Sequence, residues 1–411
     1  MARIGIYGGT FNPPHLGHLR ALRAFAAALR LDRVLVIPDG QPPHKALAEE
    51  SPDPETRLHL CRLAAEALPF AEVSDLELRR TGKSYTAETV RALRRRFPGD
   101  WLFLLMGTDM FLSFDRWREP EAIAAEVTLV LAHRRSSLPE ELAAIAAQRA
   151  RLEETLGAQV EILENDALDI SSSEVRRLLC YRAGKTLLPE PVYAEILRRG
   201  LYRTGELLQD LPFPALRTAS LSRHKEKRRA HALGCCETAQ ALARRWGADE
   251  TAAARAGILH DVTKQLTGAE QLILCEEYGI LIDDFSRKNE AVLHAVTGAA
   301  AARRLFGESE AVCAAIRWHT TGRAGMTRLE KILYLADMIE PNRDYPGVEN
   351  LRRLAREDLD AAVRQALRRT IAFVEERGQL LHPDSEHALA YELERIHQTA
   401  PARAERNTVN E

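Results

Sequence analysis

The chain has 411 residues, of which 45% are hydrophobic and 28% are charged, and its formal net charge at pH 7 is −2. This length exceeds one ordinary domain and indicates two or three. The balanced charge and the lack of any apolar run long enough to span a membrane argue against nucleic acid and membrane as partners.

The cysteines show no C-x-x-C pair or knuckle spacing, and the chain enters a strand-like segment without a signal-peptide pattern. Both features predict reduced thiols in a cytoplasmic protein. The cysteines are Cys61, Cys180, Cys235, Cys236, Cys275 and Cys313.

The first 200 residues alternate short β-rich runs with helical segments, which predicts a Rossmann-like, doubly wound parallel sheet in a domain spanning residues 1–200. After an initial run at Arg3–Tyr7, the predicted strands are Arg33–Ile37, Glu72–Leu76, Trp101–Met106, Val127–Ala132 and Val160–Leu163.

The most informative segment follows that first strand and contains Gly8, Gly9, His15 and His18. Ligands of open α/β sheets bind outside the carboxyl ends of the strands, and glycines there let a phosphate approach the backbone. The helix predicted over Gly17–Leu29 would offer its N-terminal N–H groups to an anion. The alternative is a capping turn in which the histidines are incidental.

This segment, Gly-x-Phe-x-Pro-x-His-x-Gly-His, resembles the signature of nucleotidyltransferases that join a nucleoside monophosphate to a phosphate acceptor. The resemblance implies direct in-line attack on the α-phosphate of ATP, with Mg²⁺ accompanying the nucleotide. It implies charge-assisted contacts from His15 and His18 to the ATP phosphates. The implied nucleotide-binding residues of this segment are Gly8, Gly9, Thr10 and Phe11.

A second segment, residues 169–176, resembles the I-S-S-T-x-[IV]-R box of the same enzymes, with Ser173 in place of threonine. The resemblance implies that Arg176 is a cation for the triphosphate and that Ile170, Ser171 and Ser172 bind the nucleotide. Serines before a helix are also good N-terminal residues, so a purely structural role is the alternative.

The middle of the domain is similar to nicotinate-nucleotide adenylyltransferases in three segments: residues 42–45 (P-P-H-K), 84–90 and 107–109, with Trp117 beyond them. The similarity implies that nicotinate mononucleotide is the acceptor, although nicotinamide mononucleotide stays open. Trp117 could stack on the pyridine ring or be a half-buried core aromatic, and Lys45 could bind phosphate or be a solvated loop lysine. The other implied site residues are Tyr85 and Thr86 for the acceptor, and Gly107 and Asp109 for the nucleotide.

The organisation changes near residue 200. Residues 201–216 contain glycine and prolines and are predicted to be a linker, residues 217–398 are helical by period and form an all-α domain, and residues 399–411 are predicted to be disordered.

The helical part carries histidines and aspartates that suit a metal site. A buried imidazole beside a buried carboxylate is costly unless the two are paired, and a metal ion would remove that cost. Nitrogen and oxygen ligands without a thiol favour iron, manganese or similar ions over a cysteine-bound zinc. The residues are His231, His260, Asp261, His294, His319 and Asp337.

Their order resembles that of HD-domain phosphohydrolases, and segments 260–264, 319–326 and 334–341 are similar to the YqeK group, which cleaves diadenosine tetraphosphate symmetrically to two ADP. The resemblance implies two metal ions, with iron the first candidate. One would be held by His231, His260, Asp261 and Asp337. The other would be held by His294 and His319, with Asp261 bridging. Lys264, in the catalytic site, and Arg323 would neutralise the polyphosphate.

The basic run Arg223–Arg229 precedes the first of these histidines. A solvated helix face or linker is the simpler interpretation, and phosphate contact by Arg228 or weak nucleic-acid contact are the alternatives. The run contains no aromatic residue for base stacking, which counts against RNA.

Together these features predict a bifunctional enzyme that uses ATP, nicotinate mononucleotide and a dinucleoside polyphosphate. The alternative for the helical part is hydrolysis of another nucleotide, or a nucleotide sensor that regulates the transferase. A homo-oligomer is compatible with the sequence.

Overall fold

The computed structural model describes residues 1–42, 47–48, 50–134, 138–165 and 170–407, with residues 397–407 described by their backbone alone. Lys45, a predicted phosphate ligand, lies outside the described residues. The chain forms two compact units, Met1–Glu206 and Leu207–Glu411.

The first unit is built on a six-stranded sheet in the order β3-β2-β1-β4-β5-β6, with every neighbouring pair parallel. This order places the change in winding direction between β1 and β4, where ligands of such sheets bind. The predicted doubly wound parallel sheet is confirmed. The strands are β1 (Arg3–Gly9), β2 (Arg33–Pro38), β3 (Ala71–Val73), β4 (Trp101–Met106), β5 (Thr128–Arg134) and β6 (Gln159–Asn165).

Helices cover both faces of the sheet, because the strands are apolar on both sides. In β4, Leu102 and Leu104 belong to one hydrophobic core, whereas Phe103 and Leu105 belong to the core on the other face. The helices are α1 (Leu16–Ala28), α2 (Pro54–Ala65), α3 (Thr86–Arg96), α4 (Thr108–Leu112), α5 (Pro120–Ala124), α6 (Pro139–Leu156), α7 (Ser172–Leu179) and α8 (Glu190–Arg199).

The described residues of the second unit form helices and no strand, as predicted. Its helices are α9 (Phe213–Leu221), α10 (Glu226–Trp246), α11 (Glu250–Leu259), α12 (Gly268–Tyr278), α13 (Asp284–Lys288), α14 (Glu290–Phe306), α15 (Glu310–Trp318), α16 (Arg328–Ile339), α17 (Val348–Glu357), α18 (Leu359–Glu376) and α19 (Pro383–Asn407).

Helices α10 and α11 approach each other closely at Gly257. A Cβ atom at this position would lie 2.7 Å from Cα of Cys236 and 3.1 Å from the carbonyl oxygen of Cys235. The absence of a side chain therefore lets α11 bring its C-terminal residue, His260, next to α10.

The predicted domain boundaries stay predictions. The proposed linker, residues 201–216, contains a 3-10 turn at Leu201–Arg203 and the start of α9. The backbone of α19 is helical to Asn407, within the stretch predicted to be disordered. No helix among the described residues combines the length and apolarity needed to cross a membrane.

Candidate functional sites

The loop from β1 to α1 holds both predicted phosphate-binding histidines. The backbone N–H of His15 donates to Nδ1 of His18 at 3.1 Å, and the two rings lie 3.7 Å apart between centroids. Burial lowers the pKa of His15 to about 4, with nearby Glu174 opposing the shift. Burial and the adjacent His15 hold the pKa of His18 well below its usual value. Both imidazoles are therefore neutral near pH 7 until an anion arrives.

Helix α7 joins this loop, although more than 150 residues separate them in sequence. The Ser172 hydroxyl donates to the carbonyl of Pro13 at 3.0 Å, and Nη1 of Arg176 donates to the carbonyl of Asn12 at 2.6 Å. Ser171 caps α7 by accepting from the Glu174 N–H. Ile170 packs against the core under the loop. The structure thus brings the two predicted nucleotide motifs into contact.

A buried ion pair, missed in the sequence, fixes the end of β1. Arg57 is fully buried and donates to Asp39 Oδ1 at 2.9 Å and to the carbonyl of Thr10 at 2.7 Å. The Thr10 hydroxyl in turn donates to Asp39 Oδ2 at 2.7 Å. Asp39 follows β2 directly, so its position at the carboxyl end of a strand was a usable signal. Nothing in the sequence singled out Arg57 on α2.

A pocket of about 390 Å³ opens at the carboxyl ends of β1 and β4. Seven predicted site residues line it: Gly8, Gly9, Thr10, Tyr85, Thr86, Gly107 and Trp117. The Trp117 ring packs on Phe114 with centroids 5.2 Å apart, and the Arg118 guanidinium lies over the Tyr85 ring at 4.5 Å. The pocket therefore combines a flat aromatic wall, a cation and the N-terminus of α3.

The remaining predicted residues of this unit that the structure describes are not among those that line the pocket. Asp109 is exposed in the first turn of α4. Phe11 is buried and its ring packs edge-on against Tyr7 and His18. A lining carboxylate that the sequence did not reveal is Glu77, which accepts from the Thr89 hydroxyl at 2.6 Å and whose pKa is raised by burial.

The second unit gathers all six predicted metal ligands into one cluster. Nε2 of His231 lies 3.2 Å from Nε2 of His260, and Nε2 of His294 lies 3.2 Å from Nε2 of His319. Asp261 lies between these pairs: its Oδ2 is 3.6 Å from His260 and 3.7 Å from His231, and its Oδ1 is 3.3 Å from His294 and 3.8 Å from His319. Asp337 Oδ1 lies 3.2 Å from His231 Nε2.

The chemistry of the donors fits metal ions. Nδ1 of His260 and Nδ1 of His319 lie 2.8 and 2.7 Å from the carbonyls of Gly257 and Ile316. A carbonyl can only accept, so each Nδ1 carries the hydrogen and each Nε2 presents a lone pair to the cluster. Each of these two Nε2 atoms lies 3.2 Å from Nε2 of a second histidine, an arrangement that a cation between the nitrogens would stabilise.

The pKa shifts of His294, His319 and Asp261 favour the forms that bind a metal ion, whereas, against the effect of burial, hydrogen bonds to Asp337 and Glu340 raise the pKa of His231. Burial lowers the pKa of His319 to about 4 and that of His294 well below its usual value, so both are neutral ligands near pH 7. Burial opposes ionisation of Asp261, but the surrounding histidines, led by His260 and His294, hold its pKa below its usual value.

Glu340, which the sequence analysis did not assign a function, supports His231 from behind. It is 1% exposed, and its Oε1 accepts from Nδ1 of His231 at 3.1 Å. The backbone N–H and the side-chain amide of Asn342 donate to its Oε2 at 2.7 and 2.8 Å. A Cβ at Gly234 would lie 2.4 Å from that oxygen, so a side chain at position 234 would displace the end of the Glu340 carboxylate.

Three cationic side chains from different segments reach the cluster. Nη1 of Arg228 lies 3.1 Å from Asp261 Oδ2, Nη2 of Arg343 lies 2.5 Å from Asp337 Oδ1, and Nζ of Lys264 lies 2.9 Å from Nδ1 of His294. Burial lowers the pKa of Lys264. Arg323, which the resemblance placed near the polyphosphate, pairs with Glu330 at 3.0 Å.

The basic run is not a uniform solvated face. Arg223 is 1% exposed, packs over Phe306 and donates to the carbonyl of Ala219. His224 is also buried. Arg229 bonds to Glu226 on the same helix, whereas Arg228 turns towards Asp261.

Comparison with known families divides the chain in the same way. Residues 6–178 match the cytidylyltransferase-like family, and residues 228–342 match the HD domain. The chain therefore combines a nucleotidyltransferase domain of the cytidylyltransferase-like class with an HD domain.

Two curated relatives identify the family of the first domain more closely. The chain is 42% identical over 214 residues to a protein of Geobacter metallireducens named "Probable nicotinate-nucleotide adenylyltransferase", covering 49% of this chain and 98% of the relative. A protein of the same name from Geobacter sulfurreducens is 41% identical with the same coverage. Through its N-terminal half, the chain belongs to the nicotinate-nucleotide adenylyltransferase family.

A solved structure overlaps 45% of this chain. It is a crystal structure from Clostridium acetobutylicum titled "predicted HD superfamily hydrolase involved in NAD metabolism", with 36% sequence identity, coverage of 98% of that chain and a TM-score of 0.44.

Proposed function

We propose that the N-terminal unit transfers the adenylyl group of ATP to nicotinate mononucleotide, giving deamido-NAD and pyrophosphate. The observation that carries this proposal is the pocket beside the phosphate loop, which is lined by the Trp117 ring, by Arg118 stacked on Tyr85 and by the N-terminus of α3. A pyridine ring can stack on the indole, and its carboxylate is attracted by the helix N-terminus and the cation.

The reaction needs alignment more than covalent chemistry. An acceptor phosphate oxygen forms a bond to the α-phosphorus of ATP as the bond to pyrophosphate breaks. His15, His18 and Arg176 surround one loop and would hold the triphosphate with charge-assisted hydrogen bonds, supporting the charge that develops on the leaving group. Mg²⁺ would accompany ATP.

The test is a comparison of His18→Ala with His59→Ala in the full-length chain, because His59 is a partly exposed histidine of α2 paired with Glu195. We expect His18→Ala to lower the transferase kcat/KM by about 100-fold or more and His59→Ala to leave it unchanged. Parallel kcat/KM values for nicotinate and nicotinamide mononucleotide identify the acceptor. A near wild-type His18→Ala rate would remove His18 from this function.

We also propose that the helical unit hydrolyses diadenosine tetraphosphate symmetrically to two ADP, using two metal ions, with iron as the first candidate. The observation that carries it is the position of Asp261, whose two carboxylate oxygens face two different histidine pairs. That arrangement suits a bridging ligand. His231, His260, Asp261 and Asp337 would hold one ion, and His294, His319 and Asp261 the other.

Two such ions would supply hydroxide at neutral pH and stabilise the attacking and leaving oxygens. The water oxygen forms a bond to one of the two central phosphorus atoms, and the bridging oxygen leaves with the other ADP. The protein holds the ligand tautomers through Gly257, Ile316 and Glu340, and it neutralises phosphate charge with Lys264 and neighbouring arginines.

The test is metal content followed by product analysis with diadenosine tetraphosphate. We expect about two metal ions per chain and ADP as the sole product. Asp261→Ala should abolish cleavage, whereas the exposed Asp284→Asn control should not. Metal without cleavage would point to another phosphoester or to a nucleotide sensor, and full activity in Asp261→Ala would refute the ligand assignment.

A further inference from the structure

Three cationic side chains lie around the metal cluster. Arg228 lies on α10, Lys264 follows α11, and Arg343 follows α16, so three separate segments each send a cation to the same place. None of these side chains can bind a metal ion while protonated, but each can donate hydrogen bonds to an anion that binds there.

Each of the two arginines contacts a carboxylate oxygen of a proposed metal ligand. Arg228 contacts Oδ2 of Asp261, and Arg343 contacts Oδ1 of Asp337. They remain partly open to solvent, with side chains 33% and 37% exposed, whereas Asp261 is 4% exposed. An anion that approaches the carboxylates of Asp261 and Asp337 from solvent therefore meets a guanidinium beside each carboxylate.

Formal charges indicate what that ligand is. The carboxylates of Asp261, Asp337 and Glu340 are matched by the three cations Arg228, Lys264 and Arg343. Two divalent ions would leave the site with about four uncompensated positive charges, which a single phosphate cannot balance but a chain of several phosphates can. Guanidinium groups also bind phosphate oxygens in a bidentate manner.

We propose that Arg228 and Arg343 bind the phosphates that flank the cleaved linkage, so that the site selects a polyphosphate chain over a phosphate monoester. This rests on the proposed hydrolase function and names its substrate-binding residues. Arg228 belongs to the basic run Arg223–Arg229, so the proposal gives one residue of that run a function in phosphate binding. Arg229, its neighbour, bonds to Glu226 on its own helix and provides the matched control.

The experiment measures binding of inorganic phosphate and of tripolyphosphate by calorimetry to full-length protein in saturating Mn²⁺. The variants are Arg228→Gln, Arg343→Gln and Arg229→Gln, and the Mn²⁺ affinity of each is measured separately. We expect the first two variants to weaken tripolyphosphate binding about tenfold or more and phosphate binding less than about threefold. Their Mn²⁺ affinity should be unchanged or higher, because a nearby positive charge has been removed.

Three results would overturn the inference: equal loss of phosphate and tripolyphosphate binding, weaker Mn²⁺ binding in Arg228→Gln and Arg343→Gln, or effects no larger than in Arg229→Gln. The first two would mean that the arginines act by supporting the metal ligands. Cleavage of diadenosine tetraphosphate by the wild-type protein is recorded in parallel. Arginine-dependent tripolyphosphate binding without cleavage would refute the proposed hydrolysis and leave the phosphate-chain selectivity standing.

Discussion

At the scale of single residues, His15 couples the stability of the first unit to pH. Its pKa is about 4 in the folded chain against 6.5 for an ordinary histidine. Between these values the unfolded chain binds more protons than the folded one, so the free energy of unfolding falls as pH decreases from 6.5 to 4. The full shift corresponds to about 3 kcal/mol.

We therefore expect His15→Asn to lose less stability than the wild type over this interval, as measured by urea denaturation at a series of pH values. Identical pH profiles for His15→Asn and the wild type would show that burial of the imidazole does not set the acid sensitivity.

Glu340 illustrates how a residue outside the ligand set can govern a metal site. Its carboxylate fixes the His231 ring through Nδ1. We expect Glu340→Gln to weaken Mn²⁺ binding by about 10- to 100-fold, because an amide accepts a weaker hydrogen bond and lowers the basicity of the imidazole. Equilibrium dialysis of the full-length protein measures this, with the exposed Glu349→Gln as control. Wild-type Mn²⁺ affinity in Glu340→Gln would refute the positioning function.

At the scale of elements, the contact between α10 and α11 depends on Gly257. The atoms that an added Cβ would meet belong to the backbone of Cys235 and Cys236, which cannot rotate away. We expect Gly257→Ala to separate the helices and to lower the free energy of unfolding of the helical unit by about 1–3 kcal/mol. Thermal unfolding checks this.

Gly99→Ala is a suitable control for that variant, because a Cβ there would meet nothing within 4 Å. Gly257→Ala should also weaken metal binding, since α11 carries His260 towards the cluster. Stability and metal affinity equal to those of Gly99→Ala would mean that the helices can adjust without cost.

The elements show which parts of the structure were accessible to prediction. The strand Trp101–Met106 was predicted with the bounds that the structure gives, because a short run of large apolar residues between polar segments favours a buried strand of a parallel sheet. The strand predicted over Glu72–Leu76 is shorter, Ala71–Val73, since pairing with β2 ends at Val73 and Ser74 only donates to the carbonyl of Val36. Periodicity does not show where a partner strand ends.

The functional sites also contain some residues that the sequence predicts and others that it does not. Histidines and aspartates in a sparse pattern are visible in a sequence, and all six proposed metal ligands are close together in the fold. Arg57 and Glu77 were missed because charged residues are normally solvated, and only the tertiary structure buries them. Arg343 was missed because only the fold brings it to Asp337. Arg228 was visible as part of a basic run, but only the fold distinguishes it from Arg229.

At the scale of the whole molecule, each unit contains every residue proposed for its own site. We therefore expect the two activities to be lost independently: His18→Ala should remove transfer and spare hydrolysis, and Asp261→Ala should do the reverse. Assays of both reactions on each variant test this, and loss of both activities in either correctly folded variant would show that the sites are coupled.

We propose that the two activities share a chain because adenylyl transfer would yield adenylated by-products that the hydrolase would remove. We expect such a product to form when the Asp261→Ala protein is given ATP, with or without nicotinate mononucleotide, and to disappear when wild-type protein is added. Chromatography of the nucleotides tests this. If nothing formed by the transferase is cleaved by the hydrolase, the link fails.

The missing side chain at position 234 makes it possible to displace the imidazole of His231, a proposed metal ligand, without removing any functional group. In Gly234→Ala every donor atom is retained, yet the new methyl group and Oε2 of Glu340 cannot both keep their places. Glu340→Gln weakens the hydrogen bond to His231, whereas Gly234→Ala keeps the carboxylate but shifts it. The difference in Mn²⁺ affinity between the two variants would therefore separate the contribution of hydrogen-bond strength from that of the position of the carboxylate. Substitutions at this glycine thus test how far a metal-ligating side chain can be displaced before the ion no longer binds.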